Sequence, residues 1–303
     1  MQRASDQETI GLSGVVTCGS PWGCPVCACR IYASRAAEIT KAVERWAGPL
    51  EIRRDGAVSL LTLTVRHALG DDLREVRKVC TSAFRRMWQG EPGRRLRAAL
   101  GIAHHVRALE VTHGPNGWHP HLHVLIFHKS PPRFDALELV RERWRNIVGR
   151  MRPAATPTHE RGADLRSSHR ADYIAKLGLE VGSIGTKAAR SKGGRTPWEI
   201  AANAATGDVE ERRLWIDYTE AMHGARQLTW SKGARVALGL PERDEDEDHA
   251  AEPPSMLVAS VPAEVWDRWS KVPGWTGELL RRARGRTPIL DCAEWIARAR
   301  AGP

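Results

Sequence analysis

The segment from Gly117 to Phe127 constrains the fold more than any other part of the chain. It reads GWHPHLHVLIF, and its side chains alternate in character with a period of two residues. Such alternation is typical of a β-strand, whose successive side chains point to opposite faces. The two faces are His119, His121 and His123 on one side and Leu122, Val124 and Ile126 on the other. The apolar side predicts that the strand packs against a core.

The shared face of these histidines indicates a metal site. Two imidazoles that are two residues apart on one face of a strand lie close enough to bind one cation. The alternative interpretation is a surface histidine cluster, or core histidines that are satisfied by hydrogen bonds. We favour metal binding because burial of the strand makes polar side chains without a function costly.

The strand before this segment supplies a carboxylate. Val106 to Thr112 and Leu122 to Phe127 are predicted strands that flank a Gly- and Pro-containing turn, which indicates a hairpin. In that hairpin Glu110 can lie beside His121. Such a ligand set suits Mn²⁺ or Mg²⁺ in phosphoryl chemistry, and also fits Zn²⁺ or Fe²⁺. The alternative for Glu110 is a cross-strand salt bridge to Arg107 or another basic residue.

The rest of the pattern predicts an α+β fold. Pro120 cannot donate a ladder hydrogen bond, so the strand begins there or lies locally at an edge. The pattern of apolar residues predicts one further strand and several helices. These elements are the strand Val58–Val65 and the helices Ser34–Ala47, Asp71–Gln89, Asp135–Val148, His169–Leu177, Pro197–Gly239 in two or three pieces, and Val261–Ala301. We therefore expect a central antiparallel sheet with flanking helices, packed on one side of it.

Four of the six cysteines lie close together near the N-terminus, in CGSPWGCPVCAC. They are Cys18, Cys24, Cys27 and Cys29. Cys24 and Cys27 have the spacing of half a tetrahedral Zn²⁺ site, and clustered thiols in a cytosolic chain indicate a metal. The fourth ligand could be Cys29 or a distant histidine such as His104 or His105, or the site could have only three protein ligands. The alternative is a set of reduced, partly buried thiols.

Charge separates the chain into a basic part and an acidic part. The net charge is +10, and residues 1–240 carry 37 basic and 24 acidic side chains. This balance favours a polyanionic partner, nucleic acid first. The N-terminus has no signal pattern and no window is apolar enough to span a membrane, so we expect a cytoplasmic protein without a membrane partner. The expected segments are a zinc-binding segment 14–33, a main domain 34–240, an acidic linker 241–255 and a small helical unit 256–303.

Tyr173 has two polar neighbours on a predicted helix. In ADYIAKLG, Lys176 follows Tyr173 by three residues, and His169 precedes it by four, so the three share one helical face. A nearby cation favours the phenolate form that a nucleophile requires. The alternative is an ordinary half-buried tyrosine with a lysine beside it.

These motifs together resemble the rolling-circle replication initiators of bacterial plasmids, within the HUH endonuclease superfamily. The matching stretches are CGSPWGCPVC, LLTLTVRH, LEVTHGPNGWHPHLHVLIF and ADYIAKLG, and their order matches as well. GRTPWEI, from Gly194 to Ile200, is similar to the versions from actinobacterial plasmids. The resemblance covers about residues 14–240, and its most specific part is the histidine run.

The resemblance implies a function for each motif. His121 and His123 would be metal ligands with Glu110 as the third, and Mg²⁺ or Mn²⁺ would be the ion. Tyr173 would nick one DNA strand and remain bound to its 5′-phosphate, with Lys176 as its charge partner. Relatives often carry a glutamate where this chain has His169, so His169 is the candidate base for the terminating hydrolysis. The implied fold places the histidines on one strand of an antiparallel sheet, and the implied partners are origin DNA, single-stranded or in a hairpin, and the host helicase and polymerase.

Two other functions remain open at this point. One is a single-tyrosine HUH transposase or relaxase, and the other is a non-enzymatic, zinc-containing DNA-binding regulator. A loop rich in glycine and basic residues fits all of these functions, because it can follow a phosphate backbone closely. Its candidate DNA contacts are Lys187, Arg190, Lys192 and Arg195. The alternative for that loop is a solvated segment without a DNA contact.

Overall fold

The computed structural model of the protein describes residues 18–48, 57–167, 194–242, 259–283 and 288–301. The described residues fall into two compact units, a larger one that ends at residue 242 and a smaller one that begins at residue 259. The predicted helix His169–Leu177 and nearly all of the predicted linker lie outside the described residues. So does most of the predicted basic loop, with Lys187, Arg190 and Lys192.

A five-stranded antiparallel sheet forms the centre of the larger unit, as the α+β prediction requires. Its strands are β1 Val58–Thr64, β2 Ile102–Gly114, β3 Gly117–His128, β4 Ala163–Ser167 and β5 Leu228–Trp230. They are arranged in the order β4-β1-β3-β2-β5. The histidine strand β3 is therefore the central one, with β1 and β2 on its two sides.

The predicted hairpin is confirmed, with longer strands than expected. Gly114 of β2 pairs with Gly117 of β3 across a two-residue turn. Gly117 has a φ of +83°, which favours glycine, and a Cβ atom there would also lie close to the carbonyl oxygen of Ala68, at 3.2 Å. The edge prediction for Pro120 also holds, because the pairing of β3 with β1 ends at His121.

Eight helices of the larger unit are described. They are α1 Pro25–Ala47, α2 Leu73–Met87, α3 Gly90–Ala99, α4 Ala136–Met151, α5 His159–Gly162, α6 Pro197–Ala205, α7 Val209–Met222 and α8 Ala234–Ala237. The predicted start of the first helix at Ser34 is wrong. The helix begins nine residues earlier because Cys24 caps it, accepting a hydrogen bond from the Cys27 N–H, and Pro25 suits the first turn. The expected boundary between residues 33 and 34 thus falls inside α1.

Helices pack on both faces of the sheet, so the prediction of helices on one side is wrong. On one face Leu61 and Leu122 belong to a core that includes Val76 of α2 and Trp144 of α4. On the other face Leu60 belongs to a second core, which includes Ile39 and Val43 of α1 and Phe127 of β3. The consecutive leucines 60 and 61 of β1 explain this arrangement, because a strand that is apolar on both sides requires cover on both.

Two strands of the sheet are not predicted by the sequence pattern. The edge strand β4 has five residues and reads ADLRS, and β5 has three. Both are too short to show a clear alternation. The segment Pro197–Gly239 is helical in three pieces, as predicted, but β5 lies between the second and the third.

The smaller unit is helical, as predicted for Val261–Ala301. It consists of α9 Ala263–Trp269, α10 Trp275–Ala283 and α11 Pro288–Ala301. Trp275, Leu279 and Ile296 are buried together in its own core. Among the described residues of the whole chain, no helix is both long enough and apolar enough to cross a membrane.

Candidate metal centres

Glu110, His121 and His123 converge on one face of the sheet. The Oε2 atom of Glu110 lies 3.0 Å from Nε2 of His121 and 2.9 Å from Nε2 of His123. The register explains this convergence, because Glu110 is the direct partner of His121 in the β2–β3 ladder. One ligand atom from each residue lies within 4.8 Å of the others, so the group can hold one metal ion.

The electrostatics of this triad suit a cation. Burial raises the pKa of the Glu110 carboxyl, but the charges and hydrogen bonds of His121 and His123 outweigh that effect and hold it below its usual range. The carboxylate is thus ionised, as a metal ligand must be. Two imidazole nitrogens and one carboxylate oxygen form a donor set that divalent cations accept, with positions left for water or a substrate oxygen.

The other ring nitrogens of the two histidines face oxygen atoms. Nδ1 of His121 lies 3.3 Å from the carbonyl oxygen of His119, and Nδ1 of His123 lies 3.2 Å from Oγ1 of Thr62. With a metal ion bound, the tautomer with the proton on Nδ1 would leave the Nε2 lone pair of each ring to ligate the ion, in place of the hydrogen bond to Glu110. Metal-binding histidines commonly donate their second N–H in this way, so these contacts fit a metal centre.

Thr62 is a site residue that the sequence analysis did not assign. It lies opposite His123 in the β1–β3 ladder, and Thr64 lies opposite His121. The alternation of threonine with leucine in LLTLT was the available signal, since it places both threonines on one face. The pairing partner of β1 was needed to recognise that this face is the histidine face.

His119 and His67 extend the row of imidazoles beyond the triad. The His119 ring centroid lies 5.0 Å from that of His121, and the His67 ring centroid lies 4.7 Å from that of His119. Burial, with smaller contributions from the neighbouring His121 and His67, lowers the pKa of His119 to about 4. His119 is therefore neutral near pH 7, and it lies outside the group of three ligands.

Of the salt-bridge alternatives for Glu110, the one with Arg107 is wrong. Arg107 is three residues away along β2, so the two side chains lie on opposite faces of the strand. Arg107 donates a hydrogen bond to Oγ1 of Thr229 on β5. His128, the last histidine of the run, is also structural, because its ring nitrogens contact Ser59 and the carbonyl oxygen of Leu100.

Cys18, Cys24 and Cys27 form the second group of potential metal ligands. Their sulfur atoms lie within 4.8 Å of one another, and the sulfur atoms of Cys18 and Cys27 are 3.8 Å apart. Three thiols at this distance fit three corners of a tetrahedral Zn²⁺ site. Cys29 follows Cys27 by only two residues in the sequence, but it is exposed and lies outside the group.

The two histidines considered as a fourth zinc ligand lie elsewhere. The ring of His104 packs against Trp46, near the end of α1. Cys27 and Trp46 are 19 residues apart on that helix, which corresponds to about 28 Å. His105 stacks on Trp88, and burial lowers its pKa to about 4. Neither histidine belongs to the cysteine group.

Comparison with known proteins identifies the family. A family model described as a replication protein matches residues 10–152, which include all members of both candidate metal centres. Over 308 aligned residues the chain is 30% identical to the protein Rep of Streptomyces lividans. The chain belongs to this replication protein family. The Rep alignment covers 78% of the chain and 66% of Rep.

A second relative of the chain carries a different name. The chain is 26% identical over 271 residues to a neomycin resistance protein of Streptomyces cyanogenus, with 76% of the chain and 60% of the relative covered. The chain therefore spans less than two thirds of the length of these curated relatives. No solved structure matches the chain significantly.

Two of the three tyrosines of the chain are unavailable to a substrate. The Tyr32 hydroxyl donates a hydrogen bond to the carbonyl oxygen of Pro21, and burial raises its pKa. Tyr218 is 2% exposed and stacks on Trp118, and burial raises its pKa well above the usual value. Tyr173, with His169 and Lys176, lies outside the described residues.

Arg195 is the one candidate DNA contact that the structure describes. Its main chain pairs with that of His113 at the end of β2, with N–O distances of 2.7 and 2.9 Å. Its guanidinium forms an ion pair with Glu211 of α7. Arg195 thus joins the end of the basic loop to β2, the strand that also carries Glu110. Its contact with DNA stays a prediction.

Proposed function

We propose that this protein initiates plasmid replication by nicking one DNA strand at an origin, through a metal-dependent reaction with a tyrosine nucleophile. The convergence of Glu110, His121 and His123, in a chain of the replication protein family, carries this proposal. The central position of the histidine strand in an antiparallel sheet agrees with the HUH-like fold that the sequence motifs imply.

The triad would hold Mg²⁺ or Mn²⁺ against the scissile phosphate. A divalent cation bound there stabilises the charge that develops on phosphate oxygens. Glu110 supplies a negative charge to the ion, and His121 and His123 supply neutral nitrogens. Thr62 keeps the His123 ring in place through the contact at Nδ1.

Tyr173 is the proposed nucleophile. Its oxygen forms a bond to phosphorus while the bond from phosphorus to the 3′ oxygen breaks, and the proton lost by the phenol balances the one gained by the 3′ hydroxyl. The burial of Tyr32 and Tyr218 supports this choice, since neither can reach a phosphate without unfolding its surroundings. Lys176 would favour the phenolate, and His169 would activate water when the phosphotyrosine is hydrolysed.

DNA would be held near the triad by the basic loop. We retain Lys187, Arg190, Lys192 and Arg195 as the proposed phosphate contacts. Initiation also requires that the nicked origin be passed to the host helicase and polymerase, which we propose as partners. The DNA substrate would be single-stranded or extruded as a hairpin at the nick site.

A nicking assay tests the proposed function directly. With Mn²⁺ present, we expect the protein to convert a supercoiled plasmid that carries its own origin into the open circular form. A plasmid of equal size without that origin is the control and should stay supercoiled. Binding to origin DNA without any nicking would contradict the proposal and favour a DNA-binding regulator.

We also propose that Cys18, Cys24 and Cys27 bind a structural Zn²⁺. The group joins the segment before α1 to the first turn of that helix, and it includes no histidine or carboxylate among the described residues. A zinc ion there would fix the start of α1, which packs on the sheet face that carries the triad. The expected role is stability rather than chemistry.

Replacing Cys24 with serine separates zinc binding from helix capping. Serine is a good N-cap residue, so Cys24→Ser preserves the cap and removes a zinc ligand. We expect zinc content to fall from about one equivalent to near zero and the melting temperature to fall by about 10 °C. Cys29→Ser is the matched control, because Cys29 lies outside the group. Equal zinc content in wild type and Cys24→Ser, measured by metal analysis, would rule out the site.

A further inference from the structure

Phe134 is fully exposed, in the loop between β3 and α4. The other two phenylalanines, Phe84 and Phe127, are buried in the two cores of the larger unit. Among the aromatic residues that the structure describes, Phe134 is the only exposed one. A single exposed apolar side chain is common in proteins, so Phe134 becomes informative only through its surroundings.

The loop of Phe134 is joined to a helix that carries several arginines. Its loop is tied to the end of α3, because the Arg133 N–H donates to the Ala99 carbonyl at 2.8 Å and the Lys129 N–H donates to the Gly101 carbonyl at 2.9 Å. Helix α3 thus leads from Phe134 back toward the end of α2. The segment from Arg85 to Arg97 contains five arginines and one acidic residue.

That single carboxylate leaves most of the positive charge available. Glu91 accepts hydrogen bonds from both Arg94 and Arg95, whose guanidinium groups remain exposed. Arg85 and Arg86 are exposed at the end of α2 and have no carboxylate partner among the described residues. We name Arg85, Arg86, Arg94, Arg95 and Phe134 the arginine strip.

Hydrogen bonds from α4 fix the part of the arginine strip where α2 ends and α3 begins. Arg143 of α4 donates hydrogen bonds to the carbonyl oxygens of Arg86, Met87 and Gln89, at distances of 2.7 to 3.2 Å. These bonds satisfy the last carbonyls of α2 and fix α2 and α3 to α4. The basic side chains therefore project from an ordered surface, which reduces the entropy lost on binding.

We propose that the arginine strip binds single-stranded DNA, with phosphates on the arginines and a base stacked on Phe134. Basic side chains next to an exposed aromatic ring are the combination used by single-strand binding surfaces, because every base has a face that can stack. A duplex hides those faces, so the exposed ring favours a single strand. The choice of DNA rests on the proposed function.

The arginine strip is separate from the candidate metal centre. It adjoins the end of β3 at His128, seven residues from His121, which corresponds to about 23 Å along the strand. Helix α3 is about 15 Å long, enough to follow a few nucleotides. A strand held there would be kept away from the triad after it is unwound or displaced.

Binding of oligothymidylate by the full chain tests this proposal without any nicking step. By fluorescence anisotropy, Phe134→Ala is expected to weaken binding by about 5- to 100-fold, the effect of losing one stacked base. Phe134→Trp keeps an aromatic ring at this position and should bind oligothymidylate about as tightly as the wild type. Removing two phosphate contacts in an Arg94→Gln, Arg95→Gln variant should reduce the log–log salt slope by about 1.4.

A matched pair of arginines controls for net charge. Arg212 and Arg213 are adjacent and exposed on α7, as Arg94 and Arg95 are on α3. Arg212→Gln, Arg213→Gln should leave the affinity and the salt slope nearly unchanged. Unaltered oligothymidylate binding by Phe134→Ala, or an equal loss of duplex binding, would overturn the proposal even if the plasmid is nicked. If the wild-type protein does not nick the plasmid, but Phe134→Ala still weakens oligothymidylate binding, the proposed function is refuted and the arginine strip is not.

Discussion

Replacing Tyr173 with phenylalanine is expected to abolish the covalent protein–DNA adduct and leave DNA affinity nearly unchanged. The variant loses only the phenolic oxygen, which is the atom that would bond to phosphorus. The lysine, histidine and arginine side chains that would contact phosphates all remain. A denaturing gel of protein incubated with a labelled oligonucleotide containing the nick site measures the adduct, and anisotropy measures the affinity.

Tyr218→Phe is the matched control for this substitution. Tyr218 is buried within an aromatic cluster, and its ring stacks on Trp118 and Trp215. Phenylalanine preserves that stacking, so the control should fold and form the adduct at the wild-type level. If the Tyr173→Phe variant still formed the adduct, Tyr173 would not be the nucleophile. A folded Tyr218→Phe variant without the adduct would show that burial is a poor guide to the nucleophile.

The alternation of side chains was enough to predict the centre of the fold. In β3 the apolar side chains mark the face that packs on a core, and the turn residues before them predict the hairpin. Once the hairpin is assumed, the register brings Glu110 beside His121. The triad was therefore accessible from sequence, because all three residues belong to one local motif whose geometry the ladder determines.

Other features depend on contacts between distant segments, and the sequence did not reveal them. The cover of the second sheet face by α1 depends on the pairing of β1 with β3, whose paired residues lie 57 to 69 positions apart in the chain. The start of α1 was misplaced because a cysteine serves as its N-cap, a role usually filled by serine, threonine, aspartate or asparagine. Arg195 was assigned to DNA from loop composition alone, whereas its ion pair with Glu211 depends on where α7 packs.

Removal of the divalent cation is expected to have an equally large effect on nicking. EDTA should stop the reaction of the wild-type protein, and added Mn²⁺ or Mg²⁺ should restore it. His121→Ala and His123→Ala each remove one of the three proposed ligands and one of the two imidazoles that contact Glu110. We expect each to lower the nicking rate by at least about 100-fold, since a bound cation contributes several kcal/mol of charge stabilisation.

Direct measurement of Mn²⁺ binding distinguishes loss of the ion from loss of the fold. Glu110→Gln is the most informative variant, because glutamine keeps the size and the acceptor oxygen but removes the charge that attracts a cation. Its Mn²⁺ affinity, measured by calorimetry, should fall together with nicking, while its melting temperature stays close to that of the wild type. His159→Gln is the matched histidine control, since His159 lies on α5 and contacts Glu138. Nicking that persists after thorough chelation, or Glu110→Gln protein that binds Mn²⁺ as tightly as the wild type, would exclude the triad as the catalytic metal site.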